Sequence, residues 1–334
     1  MNSVFSRFNL IGESPVFCAS LKLIEKYALN TANVYIHGET GTGKELAARA
    51  IHYLGSRSER PFVPANCGAI PDTLIEDEFF GHKRGAFTDA RESRDGLIAL
   101  AEGGTLFLDE IECLSLKGQV MLLRYLQDRV YRPIGSRELI PSDIRVVVAS
   151  NQSLDDMVSR SEFRQDLLFR LDIMPLELPP LRHRGADILL LAKYFIDEFS
   201  KTYALVRKNL NRGAIERLLS YDWPGNVREL ENVIHRAVFL SETEELDIYL
   251  NRKGKPSKVL PEDGNSFDLD CMDNVAFNHA KACVVGRFEK AYVERVMAKT
   301  HGNVSEAARL VGKDRRAFGR LLKKYGIDRM QYRE

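Results

Sequence analysis

A glycine-rich loop between a short apolar strand and an alanine-rich helix constrains the fold of this 334-residue chain more than any other feature. The loop reads GETGTGKE and follows the apolar run Val34–Ile36. Its glycines let the backbone curl so that several N–H groups face one anion at the start of the next helix. A glycine-rich turn with a surface lysine could share these letters, but strand, spacing and helix together predict a phosphate-binding P-loop. Its candidate nucleotide contacts are Gly38, Glu39, Thr40, Gly41, Thr42, Gly43, Lys44 and Glu45.

A second motif complements this loop. The apolar run Thr105–Leu108 ends in two carboxylates, Asp109 and Glu110. An acid at the carboxyl end of a buried strand beside a P-loop can hold Mg²⁺, and its neighbour can polarise an attacking water. Such a pair alone is usually only a helix start. Beside a P-loop it predicts a Walker B element and ATP hydrolysis, with Lys44 reaching the outer phosphates.

The alternation of strands and helices predicts an α/β fold. Short apolar runs at Val34–Ile36, Phe62–Pro64, Thr105–Leu108 and Ile144–Ala149 are separated by helical patterns, which indicates a parallel sheet covered on both faces. After the proline pair at 179–180 the pattern becomes entirely helical. We therefore expect a tail (1–7), an α/β ATPase core (8–180), a small helical bundle (181–243), a linker (244–275) and a helical C-terminal domain (276–334).

The C-terminal end is basic, whereas the rest of the chain is acidic. Residues 281–334 carry 14 Lys+Arg against 6 Asp+Glu, and the other 280 residues carry 34 against 41. Two short helices are predicted around Gly312, with Ala307 and Ala308 on the packing side of the first. The second helix turns Phe318, Leu321 and Leu322 inward.

A solvated amphipathic hairpin would also fit this pattern, but the small residues, the turn glycine and the charge favour a helix-turn-helix that binds double-stranded DNA. Arginines at the start of its second helix can reach guanine edges, and later lysines suit phosphates. The candidate DNA contacts are Arg315, Arg316, Arg320, Lys323 and Lys324.

Composition excludes several other classes of protein. Hydrophobic residues make up 44% and charged residues 28%, which is typical of a globular chain. No apolar run reaches the ~18 residues of a membrane span, and the N-terminus lacks the pattern of a secretory signal. The five cysteines form no C-x-x-C pair, which favours reduced core thiols over a disulfide framework or a zinc site. We therefore expect a cytoplasmic protein without membrane contact.

Taken together, the motifs resemble those of the bacterial sigma-54-dependent transcriptional activators, a branch of the AAA+ ATPases, from about Phe8 to Arg329. GETGTGKE is close to the family's Walker A, in which glutamate at the last position is normal. Gly103–Glu110 resembles its Walker B, Trp223–Leu230 its lid motif and Gly302–Ile327 its Fis-type DNA-binding domain. The resemblance implies a P-loop AAA+ core with a parallel sheet, a small all-α lid and an all-α helix-turn-helix domain, with ATP and Mg²⁺ bound.

Further roles follow from the resemblance position by position. Asn66, in the sequence PANC, matches the residue that switches the catalytic glutamate, here Glu110. Asn151 matches sensor I, and Arg228 matches sensor II on the lid. Asp109 matches the metal-binding acid.

Two arginines match residues that reach into a neighbouring subunit's site. They are Arg164 and Arg170, within FRQDLLFR. An arginine donated in trans neutralises charge in the transition state, so the resemblance implies a homo-oligomer, from dimer to hexameric ring.

One loop departs from the family pattern. The signature GAFTGA, which nucleotide state drives against sigma-54, reads GAFTDA here, because Asp89 replaces the second glycine. Glycine adopts positive φ without penalty, whereas aspartate does so less readily and adds a charge. The family's contact pair, Phe87 and Thr88, is retained. The predicted contact loop comprises Gly85, Ala86, Phe87, Thr88, Asp89 and Ala90.

Only about seven residues precede the predicted ATPase core, so we expect no receiver or sensory domain before it. Control would then come from a regulatory protein in trans, a bound small molecule or the level of expression.

Two functions therefore remain open. The first is a ring ATPase that remodels the closed complex of sigma-54 RNA polymerase, favoured by the complete hydrolytic set. The second is a nucleotide-responsive DNA-binding regulator, repressor or activator, that does not engage sigma-54, favoured by Asp89. A protein-unfolding or helicase machine is disfavoured, because the Fis-type ending connects the ATPase to duplex DNA.

Overall fold

The computed structural model describes residues 3–87, 90–241, 243, 245–248, 250, 292–300, 302–311, 315–325 and 327. The chain divides into two compact units, Met1–Arg252 and Lys253–Glu334. The strands are Val34–His37 (β1), Phe62–Asn66 (β2), Gly81–His82 (β3), Arg94–Asp95 (β4), Thr105–Asp109 (β5), Val130–Tyr131 (β6), Ile140–Pro141 (β7), Arg145–Ser150 (β8), Met174–Glu177 (β9), Asn209–Leu210 (β10) and Glu245–Leu246 (β11). The helices are Ser3–Ser6 (α1), Pro15–Ala28 (α2), Lys44–Tyr53 (α3), Ile75–Phe80 (α4), Leu97–Leu100 (α5), Leu116–Asp128 (α6), Leu154–Ser159 (α7), Gln165–Leu171 (α8), Asp187–Thr202 (α9), Arg212–Ser220 (α10), Asn226–Leu240 (α11), residues 292–299 (α12), Val304–Leu310 (α13) and Arg315–Tyr325 (α14).

A five-stranded parallel sheet forms the centre of the first unit. Its strand order is β2-β5-β8-β1-β9. The four predicted strands are β1, β2, β5 and β8, which confirms the α/β prediction. The edge strand β9 was not predicted, because its proline and its two exposed residues give no apolar run.

Alternating side chains divide this core into two layers. In β1, Val34 and Ile36 pack against α2 and α3, whereas Tyr35 faces the cluster that contains α6 and α8. In β8, Val147 lies in the layer with α2 and α3, and Val146 lies in the layer with α6 and α8. This period of two is the geometry of a strand buried on both faces. Because the strands are parallel, their carboxyl ends meet at one edge of the sheet.

The lid is a bundle of α9, α10 and α11, as predicted, but it also contains the small two-stranded sheet β10-β11, which the sequence did not predict. Trp223 is fully buried in it and donates its indole N–H to the carbonyl oxygen of Leu218 at 2.9 Å. Leu246 and Ile248 are also buried in this core. The packed lid thus includes residues beyond 243 that the sequence assigned to the linker, because a two-residue strand shows no periodicity.

The second unit contains the predicted pair of helices, α13 and α14. Ala307, Ala308, Phe318 and Leu322 are buried together with residues of α12, which confirms the predicted packing side. Asn303 caps α13 by accepting hydrogen bonds from the amides of Ser305 and Glu306. The remainder of the predicted linker, 251–275, and the predicted domain start at 276 lie outside the described residues.

Two further expectations concern exposure. In the described parts of the chain, no helix has both the length and the apolarity that crossing a bilayer requires. Cys18, Cys67 and Cys113 are free thiols, but only Cys67 is buried. The expectation of core thiols is therefore wrong for Cys113, which is exposed at the end of the turn after β5.

Candidate nucleotide-binding site

The P-loop joins β1 to α3 at the carboxyl edge of the sheet. Gly41 and Gly43 have φ angles of +79° and +98°, which other residues rarely adopt. A Cβ atom on Gly41 would lie 2.3 Å from the carbonyl oxygen of Gly225. The hydroxyl of Thr42 donates to the carbonyl oxygen of Glu39 at 2.8 Å. Glycine is thus required at two positions in this loop, at both for its backbone angles and at Gly41 also for the close approach to Gly225.

Lys44 is a buried cation at the start of α3, with 9% of its surface exposed. Its ammonium donates to the carbonyl oxygens of Gly38 at 2.7 Å and Glu39 at 3.2 Å. Burial lowers the pKa of Lys44, and the nearby charge of Asp109 opposes this shift. No side chain caps the first turn of α3. Its amide groups and the lysine together are suited to an anion.

Asp109 and Glu110 follow β5 at the same edge. The carboxylate of Asp109 accepts the backbone N–H of Glu110 at 3.0 Å. Burial raises the pKa of Asp109, while the Glu110 amide and Lys44 oppose that rise. Glu110 has a φ of +54°, so the chain turns sharply there into a 3₁₀ turn at Ile111–Cys113.

Asn66 ends β2 and is the register partner of Asp109. Its side-chain oxygen accepts the amides of Gly68 at 2.8 Å and Ala69 at 3.2 Å. The Glu110 Oε2 atom lies 2.6 Å from the position that a Cβ on Gly68 would occupy. Asn66 and Glu110 are therefore neighbours around Gly68, as a switch between them requires.

Asn151 follows β8 and is connected to the turn after Glu110. Its backbone N–H donates to Oε1 of Glu112 at 3.2 Å. Glu112 is 8% exposed, and its Oε2 has no hydrogen-bond partner among the described residues. Sequence reasoning missed Glu112; the only available signal was a third acid two residues after the Walker B pair.

A cavity of about 290 Å³ brings the predicted groups together. It is lined by Thr40, Gly41, Gly43, Lys44, Glu45, Leu46, Asp109, Glu110, Asn151, Val227, Arg228 and Glu231. The core and the lid thus contribute to one pocket. Of the other predicted loop contacts, Gly38 and Thr42 shape the loop, and the Glu39 side chain bonds to the lid.

Arg164 and Arg170 do not line this cavity. Both are exposed. Arg164 donates to Asp166 at 2.6 Å, and Arg170 donates to the carbonyl oxygen of Leu126 at 3.4 Å. Neither arginine therefore serves the nucleotide cavity of its own chain.

The predicted contact loop projects from β3 and β4. Gly85, with a φ of +79°, donates its N–H to the carbonyl oxygen of Ala90 at 2.8 Å. Phe87 is 45% exposed, and its ring centroid lies 4.9 Å from that of His82. Thr88 and Asp89 lie outside the described residues.

In the helix-turn-helix, Arg315 and Arg320 are exposed on α14. The side chains of Arg316, Lys323 and Lys324 are not among those that the structure describes.

Three family models match the chain in succession. Residues 10–177 match the sigma-54 interaction domain, residues 182–251 the AAA+ ATPase lid domain, and residues 285–325 the Fis family of bacterial regulatory proteins. The first match alone covers half of the chain.

The chain belongs to the sigma-54-dependent transcriptional activators.

Relatives and a solved structure agree with this assignment. The activator is 40% identical to transcriptional regulatory protein ZraR of Escherichia coli (strain K12), over 94% of this chain and 68% of ZraR. It is 39% identical to nitrogen fixation protein AnfA of Azotobacter vinelandii, over 97% of this chain but only 58% of AnfA. The crystal structure of NtrX from Brucella abortus in complex with ATP matches with a TM-score of 0.67 and 30% identity, covering 95% of this chain and 69% of NtrX.

The charges in the activator's cavity fit ATP with a divalent cation. Lys44 is a cation and Asp109 an acid, and burial disfavours the charged form of each. A phosphate beside Lys44 and a metal ion beside Asp109 would relieve both penalties. The cavity therefore fits the ATP-binding site of an AAA+ domain, with Asp109 as the metal-binding candidate.

Proposed function

We propose that this activator hydrolyses ATP within a ring oligomer and uses the released energy to remodel the closed complex of sigma-54 RNA polymerase. The observation that carries the proposal is the single cavity shared by Lys44, Asp109, Glu110, Asn151 and Arg228. A protein that only bound nucleotide would not need a carboxylate placed to act on water.

The chain's own residues have distinct tasks in hydrolysis. Glu110 orients and polarises the attacking water. Asn66, its neighbour around Gly68, controls where the Glu110 carboxylate lies. Lys44 and the first amides of α3 stabilise the negative charge that develops on the phosphates. Asn151 contributes hydrogen-bond donors from the core side of the cavity, and Arg228 contributes donors from the lid side. Mg²⁺, held at Asp109, would neutralise phosphate charge.

The positions of the two arginines favour catalysis between subunits. Arg164 and Arg170 are exposed and outside their own cavity. A guanidinium supplied by an adjacent protomer would add to the charge stabilisation by Lys44 and Arg228. Hydrolysis then requires a closed assembly of like subunits, in which each interface forms one site.

The loop around Phe87 is the proposed contact with sigma-54. Phe87 is exposed, and aromatic side chains are enriched in protein interfaces, so its ring is available to a partner. At the base of this loop, the backbone N–H of Lys83 donates a hydrogen bond to the carbonyl oxygen of Ile134 at 2.9 Å.

A second candidate function follows from Asp89. A charged residue with restricted backbone angles in this loop favours a regulator that binds nucleotide and DNA without engaging sigma-54. In both cases Arg315, Arg316, Arg320, Lys323 and Lys324 are the proposed DNA contacts. Since DNA and RNA polymerase share the bacterial cytoplasm, we place the protein there.

Open-complex formation on a sigma-54 promoter distinguishes the two functions. With ATP, the wild-type protein should open the promoter and the Lys44→Ala variant should not. ATP hydrolysis without open complexes, with opening restored by Asp89→Gly, would favour the second function.

A further inference from the structure

The P-loop is tied to the lid by three side chains. Arg182 donates to both carboxylate oxygens of Glu39, at 2.6 and 2.9 Å. The side-chain amide of Asn226 donates to Glu39 at 3.0 Å and to the carbonyl oxygen of Thr40 at 3.0 Å. We call Glu39, Arg182 and Asn226 the P-loop strap.

A backbone contact extends this connection along the loop. The N–H of Val227 donates to the carbonyl oxygen of Gly41 at 3.0 Å. Gly41 also touches the Gly225 backbone so closely that a Cβ would not fit. Residues 39 to 41 are therefore held against the start of α11, which carries Arg228 into the nucleotide cavity.

Asn226 connects three parts of the molecule. It is fully buried, and its side-chain oxygen accepts the N–H of Leu181 at 2.8 Å, where the chain enters the lid. Its φ of +52° is rare for a residue other than glycine. The same amide group thus fixes the entrance of the lid, the start of α11 and the P-loop.

The charge of Glu39 is part of the strap. The hydrogen bonds from Arg182 and Asn226, opposed by some desolvation, together lower the pKa of Glu39 to about 2. Glu39 is therefore ionised throughout the physiological range. The Glu39 carboxylate faces the lid, where Arg182 is its ion-pair partner.

We propose that Arg182 and Asn226 are positioning residues that act through Glu39 and Thr40 to hold Lys44 and Arg228 on opposite sides of one preformed nucleotide cavity. The inference rests on the proposed ATP site. Without the strap, the lid and the P-loop must become ordered as the nucleotide binds. The free-energy cost of that ordering weakens nucleotide binding. Once nucleotide is bound it holds both sides itself, and the rate at saturation is retained.

The strap predicts a specific kinetic pattern for Arg182→Gln. We expect the Kd for ADP and the KM for ATP to rise together by about three- to tenfold, with kcat retained. Arg182→Lys should be intermediate, because lysine keeps the charge but loses the two-pronged hydrogen bond. A loss of general stability would instead lower kcat and the melting temperature.

The experiment uses the whole 334-residue chain, with ADP binding measured by calorimetry and ATP turnover by phosphate release. Arg212→Gln is the matched control, because Arg212 also pairs with a carboxylate on the lid, Glu216, but lies far more exposed. It should leave Kd, KM and kcat unchanged. Combining Glu39→Gln with Arg182→Gln should weaken ADP binding little more than either change alone, because both remove the same interaction.

The outcomes separate the strap from the proposed function. Unchanged ADP affinity in Arg182→Gln, or additive effects of the two substitutions, would overturn the strap. If the wild-type protein binds ADP but never hydrolyses ATP, the proposed function fails, while a weaker ADP affinity in Arg182→Gln still supports the strap.

Discussion

Arg184 and Asp187 form an ion pair with side chains only 2% exposed, at 3.1 Å between Nε and Oδ2. The Asp187 carboxylate also accepts the backbone amides of Glu13 at 2.7 Å and Ser14 at 3.0 Å. The Arg184 guanidinium lies 3.6 Å from the ring centroid of Phe17. The pair therefore joins the start of the lid to the segment that precedes α2.

Asp187→Asn should destabilise the protein by about 3–5 kcal/mol near neutral pH, because it leaves a buried arginine without its counter-charge. Burial alone would raise the pKa of Asp187, but hydrogen bonds from Glu13, Ser14 and Arg184 outweigh it and lower the pKa below its ordinary value of 3.8. Stability from this carboxylate is thus present above that value and lost as the pH falls through the lowered pKa.

Urea unfolding at several pH values checks this prediction. The difference in unfolding free energy between wild type and Asp187→Asn should shrink only in the acid range, below the ordinary aspartate pKa. A difference that is small at neutral pH, or that grows on acidification, would contradict it.

Glu112→Ala should lower both stability and turnover, because the amide of Asn151 loses its partner. We expect a loss of about 1–3 kcal/mol in the free energy of unfolding. Glu112→Gln keeps an acceptor for this amide, so it should recover most of both properties. Denaturant unfolding and the kcat for ATP provide the comparison; equal losses in the two variants would show that charge, not the hydrogen bond, matters.

Arg164→Ala should abolish ATP turnover while nucleotide affinity changes little, because the arginine serves a neighbouring site. Arg160→Ala is a matched control, since Arg160 is an exposed arginine close in sequence that also pairs with an acid, Glu162.

Mixing the inactive Arg164→Ala and Lys44→Ala proteins should restore part of the activity, since some interfaces then contain an intact cavity and an intact arginine. Normal turnover by Arg164→Ala alone would refute this role.

Removal of residues 285–334 should leave ATP turnover intact and abolish sequence-specific DNA binding. The second compact unit carries its own core, which includes Ala307 and Phe318, and the residues of the nucleotide cavity all lie in the first unit. Mobility-shift titrations at fixed salt test binding, because phosphate contacts make affinity strongly salt-dependent. Specific binding by the truncated protein would show that the DNA contacts lie elsewhere.

Local patterns were enough to predict the elements that carry the nucleotide motifs. Each of β1, β5 and β8 contains a continuous apolar run, because both faces of the strand are buried there. The glycines of the P-loop and the acids after β5 have fixed spacings along the chain. Parallel pairing then brings Asn66 and Asp109 to one edge.

Contacts between distant parts of the chain could not be predicted in this way. Asn226 bonds Glu39 across 187 residues, and nothing in the spacing of either residue indicates the partner. Glu112 acts through the backbone of Asn151, which no side-chain pattern reveals. Leu246 joins the lid core from a two-residue strand, too short to show alternation.

Phosphate release from Mg-ATP by the purified protein, measured over a range of protein concentrations, tests the central claim most directly. We predict turnover per subunit that rises with concentration as interfaces form, and none for Lys44→Ala. Turnover by Lys44→Ala equal to that of wild type, or no phosphate release by the wild-type protein at any concentration, would contradict an ATPase site completed between subunits.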